Sequence, residues 1–540
     1  MKILLIQPPI RDFYDTEIRL QPLGLCMLKA VIKKHLPDVE VIVKDYHQGY
    51  ERKTLKYPSE LSYLKPFYPY HDAGPFSMFH HFYHFGATYE AVTEDVIREG
   101  PDMVGISSLF TAYANEALAC ANEIKRQLNI PIVMGGPHVS ALPLEVLKDP
   151  NVDFVIRGEG ERPLVELLRA FESGGTLDRV PNLGFKRDTQ SVLNPLGEPY
   201  DFQDLPWPDF SDFPFNRYLF EKRPLCFMMT SRGCPHHCTF CSVHQTFGKK
   251  FSRRRVSDIV SEIQERYRQG YRVFDFEDDN LTFDREDFKT LLGQLMKSIP
   301  AKEIRFMAMN GVSYMSLDQD ILEMMKAAGF KSLNLSLVTA NPYTLAKVRR
   351  PHTVEKFLDV VRQAHDLGFG IVAYQILGLP DESLADMIET MTLLAGLPVL
   401  IGVSIFYLVP GCSMAKKSDF ISPPDRTISR STAMAIETGH VSRDDLYTLF
   451  ITARIINFIK GIWIDEKEMS IDDALDRAES LGKREKTGVE ILRRLFKEKV
   501  MHAATGNGLK PLPRFRSDLF SGLWDRLHDI VTQKGGIVSR

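Results

Sequence analysis

Residues 225–244, LCFMMTSRGCPHHCTFCSVH, decide how the chain is read. An apolar run with the texture of a buried strand, LCFMMT (225–230), passes at once into a loop with Cys234, Cys238 and Cys241 in a C-x3-C-x2-C array. Thiolates that close can converge on one metal centre. Three unrelated cysteines are the bland alternative, but nothing would then crowd them on one loop directly after a strand. Two metal readings stand side by side. Zinc takes four ligands, and His236, His237 or His244 could complete a Cys3His set. A [4Fe-4S] cluster usually takes four thiolates, so three leave one iron open to an external ligand.

C-terminal to this loop the strand texture recurs. RVFDFE (272–277), IRFMAMN (304–310), SLNLSLV (332–338), GIVAYQI (370–376) and VSIFYLV (403–409) read as strands. Helical periodicity separates them at about 256–268, 284–298, 318–328, 354–367 and 383–395. Six strand-helix units predict a partial (β/α)6 TIM-like barrel whose chemistry sits at the carboxyl ends of its strands. N-terminal to the loop, KILLIQ (2–7), VEVIVKD (39–45), DMVGIS (102–107), PIVM (131–134) and VDFVI (152–156) alternate with helical patterns at 23–35, 88–98, 112–127 and 161–172. That alternation predicts a flavodoxin-like doubly wound sheet. The fold class is therefore α/β, with expected domains at 1–172 (doubly wound sheet), 173–222 (connector), 223–425 (barrel) and 426–540 (helical, with no strand pattern).

The chain's 540 residues allow three to four domains at roughly 150 each. Lys+Arg at 67 against Asp+Glu at 70 gives a net charge of -3 without long single-sign runs, which argues against a nucleic-acid partner. Seven cysteines, an odd number scattered outside the cluster, do not make a secreted disulfide framework. The start, MKILLIQPPI, reads as a strand and not as a signal peptide, so a cytoplasmic location is expected. Residues 390–415 contain no charge and are long enough to span a membrane. Pro398, Gly396, Gly402 and the shift to β-branched and aromatic VSIFYLV favour a helix end, a turn and a buried strand, with no membrane span.

CPHHCTFC (234–241) resembles the radical S-adenosylmethionine (SAM) signature. The resemblance implies a three-cysteine [4Fe-4S] cluster whose open iron is chelated by the amino and carboxylate groups of SAM. It also implies reductive cleavage to a 5'-deoxyadenosyl radical, with Phe240 near the adenine. FEDDNLTF (276–283) stands where such enzymes bind the SAM amino group, making Glu277, Asp278 and Asp279 candidates, although adjacent acids can equally be solvated loop charges. ILGLPDES (376–383) resembles the Gly-x-Pro turn beside the adenine, with Gly378 and Pro380. VPGCSM (409–414) resembles a Pro-Gly-Thr turn in which Cys412 replaces threonine. LSLVTAN (335–341) departs from the Gly-x-Glu-Ser turn of relatives, leaving Ser336, Thr339 or Asn341 to meet the ribose.

The third and fourth strands of the first domain end in Ser107-Ser108-Leu109 and Gly135-Gly136. These resemble the Ser-x-Leu and Gly-Gly elements of cobalamin-binding domains, which implies that Ser107, Leu109, Gly135 and Gly136 receive the dimethylbenzimidazole tail. The Asp-x-His-x-x-Gly element of that family is missing after the first strand, where Gln7-Pro8-Pro9 stands. The nearest look-alike, DYHQG with Asp45, His47 and Gly49, follows the second strand, and His47 reads as an ordinary loop histidine. Cobalamin is thus expected with no protein histidine beneath the cobalt. PLGLCMLKAVI (22–32) and VDFVIRGEGE (152–161) strengthen the resemblance. In the aromatic loop at 63–85, His80 and His84 would share a helical face and could hold a metal, but a lid over the corrin or substrate is the better reading.

As a whole the sequence resembles cobalamin-binding radical SAM enzymes of the class B methyltransferase type. That implies cobalamin as methyl carrier for C-methylation of an unactivated carbon. Cyclisation or rearrangement, with or without cobalamin, and a non-catalytic Fe-S or cobalamin sensor are the alternatives. A methylthiotransferase would need further cluster cysteines in the first domain, where only Cys26 and Cys120 stand. A flavodoxin or ferredoxin electron donor and a small-molecule or lipid-like substrate are implied partners. No residue announces the substrate, a catalytic acid or a catalytic base.

Overall fold

The computed structural model describes residues 1–14, 21–77, 79, 81–188, 190–415, 423–462 and 471–533. Its first sheet contains five parallel strands, Lys2–Gln7, Glu40–Asp45, Met103–Ser107, Ile132–Gly135 and Phe154–Ile156, in the spatial order two, one, three, four, five. This is the flavodoxin order, and its switch point lies between the carboxyl ends of strands one and three. Ile3 to Ile6 of KILLIQ are all apolar because both faces of the strand are covered. Leu4 and Ile6 pack with Val92 and Val96 of helix Tyr89–Glu99, whereas Ile3 and Leu5 pack with Met27 and Val31 of helix Leu23–His35.

Two stretches differ from the sequence reading. Residues 173–222 were expected to form a loose connector, yet Leu183–Arg187 and Gln190–Leu193 make an antiparallel hairpin that continues the sheet from the fifth strand. The strands are short and their outer residues polar, so periodicity alone gives a weak signal. At the end of the aromatic loop, Phe82–Phe85 pairs with Ile10–Asp12 on one side and Lys53–Leu55 on the other as a separate three-stranded antiparallel sheet. His84 therefore lies on a strand and not on a helix, and its ring Nε2 bonds the carbonyl of Ala87 at 2.8 Å. His80 lies outside the described residues.

The barrel strands are Arg223–Met228, Val273–Phe276, Arg305–Met307, Ser332–Val338, Gly370–Leu377 and Leu400–Ile405. Strands one to three and four to six form two parallel sheets, linked by the bridges Phe306↔Phe330 and Val312↔Leu335. The sixth strand starts and ends earlier than VSIFYLV suggests, so Tyr407 to Val409 belong to the loop above it. Asn457 of helix Arg443–Ile462 closes this edge strand, bonding both N–H and C=O of Ile401 at 2.8 Å. Residues 390–415 resolve into the end of helix Leu384–Ala395, a turn and that strand. Among the described residues no helix is long and apolar enough to cross a membrane.

After residue 426 the chain is mainly helical, with helices Arg443–Ile462, Ile471–Glu479, Lys483–Glu498 and Ser517–Gln533. Contrary to expectation it also contains a hairpin, His502–Thr505 with Gly508–Pro511. Ala504 of this hairpin exchanges hydrogen bonds with the Asp72 side chain and the Ala73 N–H, both at 2.8 Å. The aromatic loop is thereby tied to the C-terminal region.

Candidate cofactor site

The cysteine loop is braced from below. Asp278, at the end of the second barrel strand, is buried and accepts hydrogen bonds from the Thr230 N–H (3.2 Å), the Thr230 hydroxyl (2.7 Å) and the Ser231 hydroxyl. Both its oxygens are thus committed to the strand end that launches the loop, and burial raises its pKa. Asp279 accepts the Gly233 N–H at 2.9 Å, and burial pushes its carboxyl up to about 6. Gly233 has φ +77°, and a Cβ there would lie 2.3 Å from the carbonyl of Lys250, so only glycine fits.

Beyond it, Cys234, Cys238 and Cys241 are free thiols, with Cys238 buried and the other two partly so. The Cys241 N–H closes a turn on the Cys238 carbonyl at 3.1 Å. Burial raises the Cys238 thiol and pushes that of Cys241 up to about 11, with charge on neighbouring cysteines adding to both. Donors face the sulfurs. Asn280 Nδ2 lies 3.6 Å from Cys234 Sγ, and the Arg350 guanidinium and the Val243 N–H act against burial by lowering the Cys238 and Cys241 thiols respectively. Such donors surround thiolate-held clusters and tune them. Three thiols on one short loop, with donors beside them, fit a cluster whose irons each take one thiolate at a separate corner.

An apolar shelf stands beside the loop at the carboxyl ends of barrel strands four to six. Phe240 packs there with Val338, Leu379, Phe406 and Leu408. Gly378, next to Leu379, has φ +82°, a conformation that admits glycine readily. Pro380 follows it in the same turn. Val338 is β-branched yet has φ +75°, and a bulge separates it from Ser336, so the fourth strand ends in a strained conformation. Ser336 is partly buried, and its carbonyl accepts Arg350 Nη2 at 2.7 Å. The other ribose candidates have structural tasks: the Asn341 side chain caps helix Pro342–Lys347, and the Thr339 hydroxyl accepts the Asn341 N–H at 3.2 Å. Glu277 is bonded by Asn310 Nδ2 at 2.8 Å, and burial, aided by Asp275, pushes it up to about 8. Cys412 is buried, as a structural replacement for threonine should be. Sequence reasoning missed Asn280, Arg350 and Glu382, the last fully buried beside Thr339 and pushed up to about 7 by burial.

In the first domain Ser107 and Gly135 are register partners at the ends of strands three and four. Gly136 has φ +110°, and a Cβ there would meet the Ser108 carbonyl at 2.7 Å, while Gly135 has nothing nearer than the Ile156 carbonyl at 3.8 Å. The glycine backbone is thus bare toward one side. Leu109 and Phe110 next to it are 38% and 47% exposed, an apolar surface a large ligand would cover. Ser108, the neighbour of the expected Ser107, has a buried hydroxyl without a hydrogen-bond partner. An orphaned hydroxyl, bare glycines and open apolar side chains fit a cobalamin tail. His47 lies in the bend after the second strand and is 1% exposed; neither ring nitrogen has a hydrogen-bond partner, and burial lowers its pKa.

The fifth strand of the first sheet ends against the cysteine loop. Gly158 packs on the carbonyl of Thr246, and Arg232, two residues before Cys234, forms a buried ion pair with Glu161. The two carboxyl-end faces of the chain thus abut.

Comparison with known proteins agrees with this geometry. Residues 228–394 match the radical SAM superfamily, and residues 78–168 match the B12 binding domain. The chain couples a B12-binding domain to a radical SAM domain. An uncharacterized methyltransferase of Pyrococcus horikoshii is 28% identical over 56% of this chain and 66% of its own length. Cytidylyl-2-hydroxyethylphosphonate methyltransferase of Streptomyces wedmorensis is 25% identical over 70% of this chain and 73% of its own. The structure of the radical S-adenosylmethionine methyltransferase TsrM from Kitasatospora setae, with cobalamin and a [4Fe-4S] cluster bound, superposes with a TM-score of 0.59 at 17% identity, covering 77% of this chain and 74% of that one. The B12-binding match opens inside the aromatic loop, and the radical SAM match runs from the end of the first barrel strand into helix Leu384–Ala395. The protein is a radical SAM enzyme with methyltransferases among its relatives.

Proposed function

We propose that the protein is a cobalamin-dependent radical SAM methyltransferase that places a methyl group on an unactivated carbon of a small-molecule or lipid-like substrate. The observation that carries this reading is the contact between the bare Gly135-Gly136 side of the first sheet and the cysteine-loop side of the barrel, through Gly158 and Glu161. When bound, the cluster with SAM supplies a 5'-deoxyadenosyl radical on one-electron reduction, and cobalamin supplies the methyl group. The chain's own part is binding, orientation and exclusion of water.

Cys234, Cys238 and Cys241 would hold the cluster, with Asn280 and Arg350 donating toward the sulfurs. Phe240, Gly378 and Pro380 would form the apolar side suited to an adenine, and Ser336 would meet the ribose, since Thr339 and Asn341 have structural tasks. Glu277 and Asp279 would meet the SAM amino group. Ser107, Leu109, Gly135 and Gly136 would seat the cobalamin tail, with the Ser108 hydroxyl as a further donor. A flavodoxin or ferredoxin would deliver the electron, in a cytoplasmic setting. The test is anaerobic reconstitution with iron, sulfide and cobalamin, followed by reduction with SAM. Wild-type protein should release 5'-deoxyadenosine and keep a corrin spectrum through gel filtration, while Cys238→Ala releases none. Undiminished 5'-deoxyadenosine from Cys238→Ala would refute the reading.

A further inference from the structure

Arg232 is 6% exposed, and its guanidinium crosses from the barrel to the first domain. There it pairs with Glu161, itself 4% exposed, and stands 3.6 Å from Glu159. The rings of Phe202 and Phe247 lie 4.9 and 5.3 Å from the guanidinium carbon and screen it from water. Both glutamates belong to the turn RGEGE (157–161), which follows the fifth strand. The turn is itself fixed: the Gly158 N–H donates to Ser140 Oγ at 2.8 Å, the Tyr200 N–H to Glu159 Oε2 at 3.0 Å, and Asn182 Nδ2 to the Glu159 carbonyl at 3.3 Å. Ser140 lies on helix Pro137–Ala141, which begins directly after Gly136. On the far side of the cysteine loop, a Cβ on Gly158 would meet the Thr246 carbonyl at 3.3 Å. A continuous run of contacts therefore links Gly136 to Cys234 through Ser140, Gly158, Glu161 and Arg232.

We propose that Arg232 is a positioning residue whose buried pair with Glu161 sets where the cysteine loop stands relative to Gly135-Gly136, and so aligns the two cofactors. This rests on the two-cofactor reading above. A buried ion pair suits the task because separating its partners strands a charge in low dielectric, which leaves the loop no alternative resting position. Lysine cannot replace it, since a single ammonium does not reproduce a planar fork held between two aromatic rings.

The test uses the full chain loaded anaerobically with cluster and cobalamin, both brought to paramagnetic states. Pulsed EPR then reads their dipolar coupling, which falls with the cube of the separation. Glu161→Gln and Arg232→Lys should keep iron and corrin content while the spread of separations widens about twofold, as expected when a site held within ~0.5 Å loosens to ~1 Å. Both variants showing wild-type coupling with both centres present overturns the proposal. So does loss of one centre from both, because the pair would then support binding and not alignment. If Arg232→Lys does not fold, Glu161→Gln, which preserves side-chain shape, decides alone. Wild-type protein that lacks either centre overturns the two-cofactor reading, and this proposal with it, before any variant is compared.

Discussion

Asp278 separates two accounts of the acids that end the second barrel strand. If it braces the cysteine loop, Asp278→Ala strands the buried Thr230 N–H and removes the acceptor of two hydroxyls. An unsatisfied buried donor costs about 1–3 kcal/mol, and hydrogen bonds to a charged acceptor are worth about 1.5–3 kcal/mol. The hydroxyls can rotate toward other partners, so the sum falls to about 3 kcal/mol. For a domain of about 200 residues that lowers the unfolding midpoint by about 6–12 °C. Asp278→Asn keeps one oxygen for the hydroxyls but turns an amide toward the Thr230 N–H, so the loss is about half as large. The assay pairs thermal unfolding with iron content after reconstitution and SAM titration. Both variants should melt early and retain less iron, and their SAM affinity should fall only in proportion to cluster loss. An Asn variant that melts like wild type, takes up full iron and yet binds SAM tenfold more weakly would refute the brace and return Asp278 to the SAM amino group.

Gly136→Ala should lose corrin in gel filtration and cost about 1–3 kcal/mol, because φ +110° is strained for alanine and its Cβ meets the Ser108 carbonyl. Gly174→Ala, with nothing within 4 Å of its Cβ, is the control that should keep corrin. Arg350→Met should reduce iron retention at least severalfold and raise the Cys238 thiol further, read by the pH dependence of alkylation in cluster-free protein; an unchanged profile would remove Arg350 from the site. Burial holds His138 at about 4 and His352 at about 3 against an ordinary 6.5. The unfolded chain therefore binds protons that the native chain refuses. Their stabilisation is complete above about 6.5 and is lost as pH falls toward those values, by up to about 1.4 kcal/mol per group per pH unit. Urea midpoints of the cluster-free protein at pH 5 and pH 7.5 check this, and equal midpoints would contradict it.

Buried strands were legible in two ways: Ile3 to Ile6 are a continuous apolar run covered on both faces, whereas SLNLSLV alternates leucine with polar residues, and Lys2–Gln7 and Ser332–Val338 fall where KILLIQ and SLNLSLV place them. The sixth barrel strand was misplaced toward its C-terminus because the aromatic texture of Phe406 and Tyr407 outlasts the pairing that ends at Ile405. The hairpins at 183–193 and 502–511 have too few residues for a period to show. Among the candidate site residues, spacing singles out the cysteines, but no local pattern marks Arg350 or Asn280, which come to the loop from other turns. Adjacency hid the distinct tasks of the three acids. Alternation along an extended chain does separate them, since Asp278 must face opposite to Glu277 and Asp279, and that signal was available.

The same geometry bears on how the loop would acquire the proposed cluster. Burial raises the Cys238 and Cys241 thiols, and charge on neighbouring cysteines adds to both, so burial opposes the thiolate forms that a cluster needs. Their N–H donors are nevertheless already placed on rigid ends: Asn280 follows the second strand, and Arg350 is fixed by the Ser336 carbonyl at the fourth. Ligation must therefore expel protons from a preorganised site, and the free energy of binding the cluster becomes free energy that holds strands one, two and four together at their carboxyl ends. Cluster insertion and barrel closure are in that sense one equilibrium. Asp278, which carries no ligand, belongs to it because it ties the strand bearing the cysteines to the strand bearing Asn280.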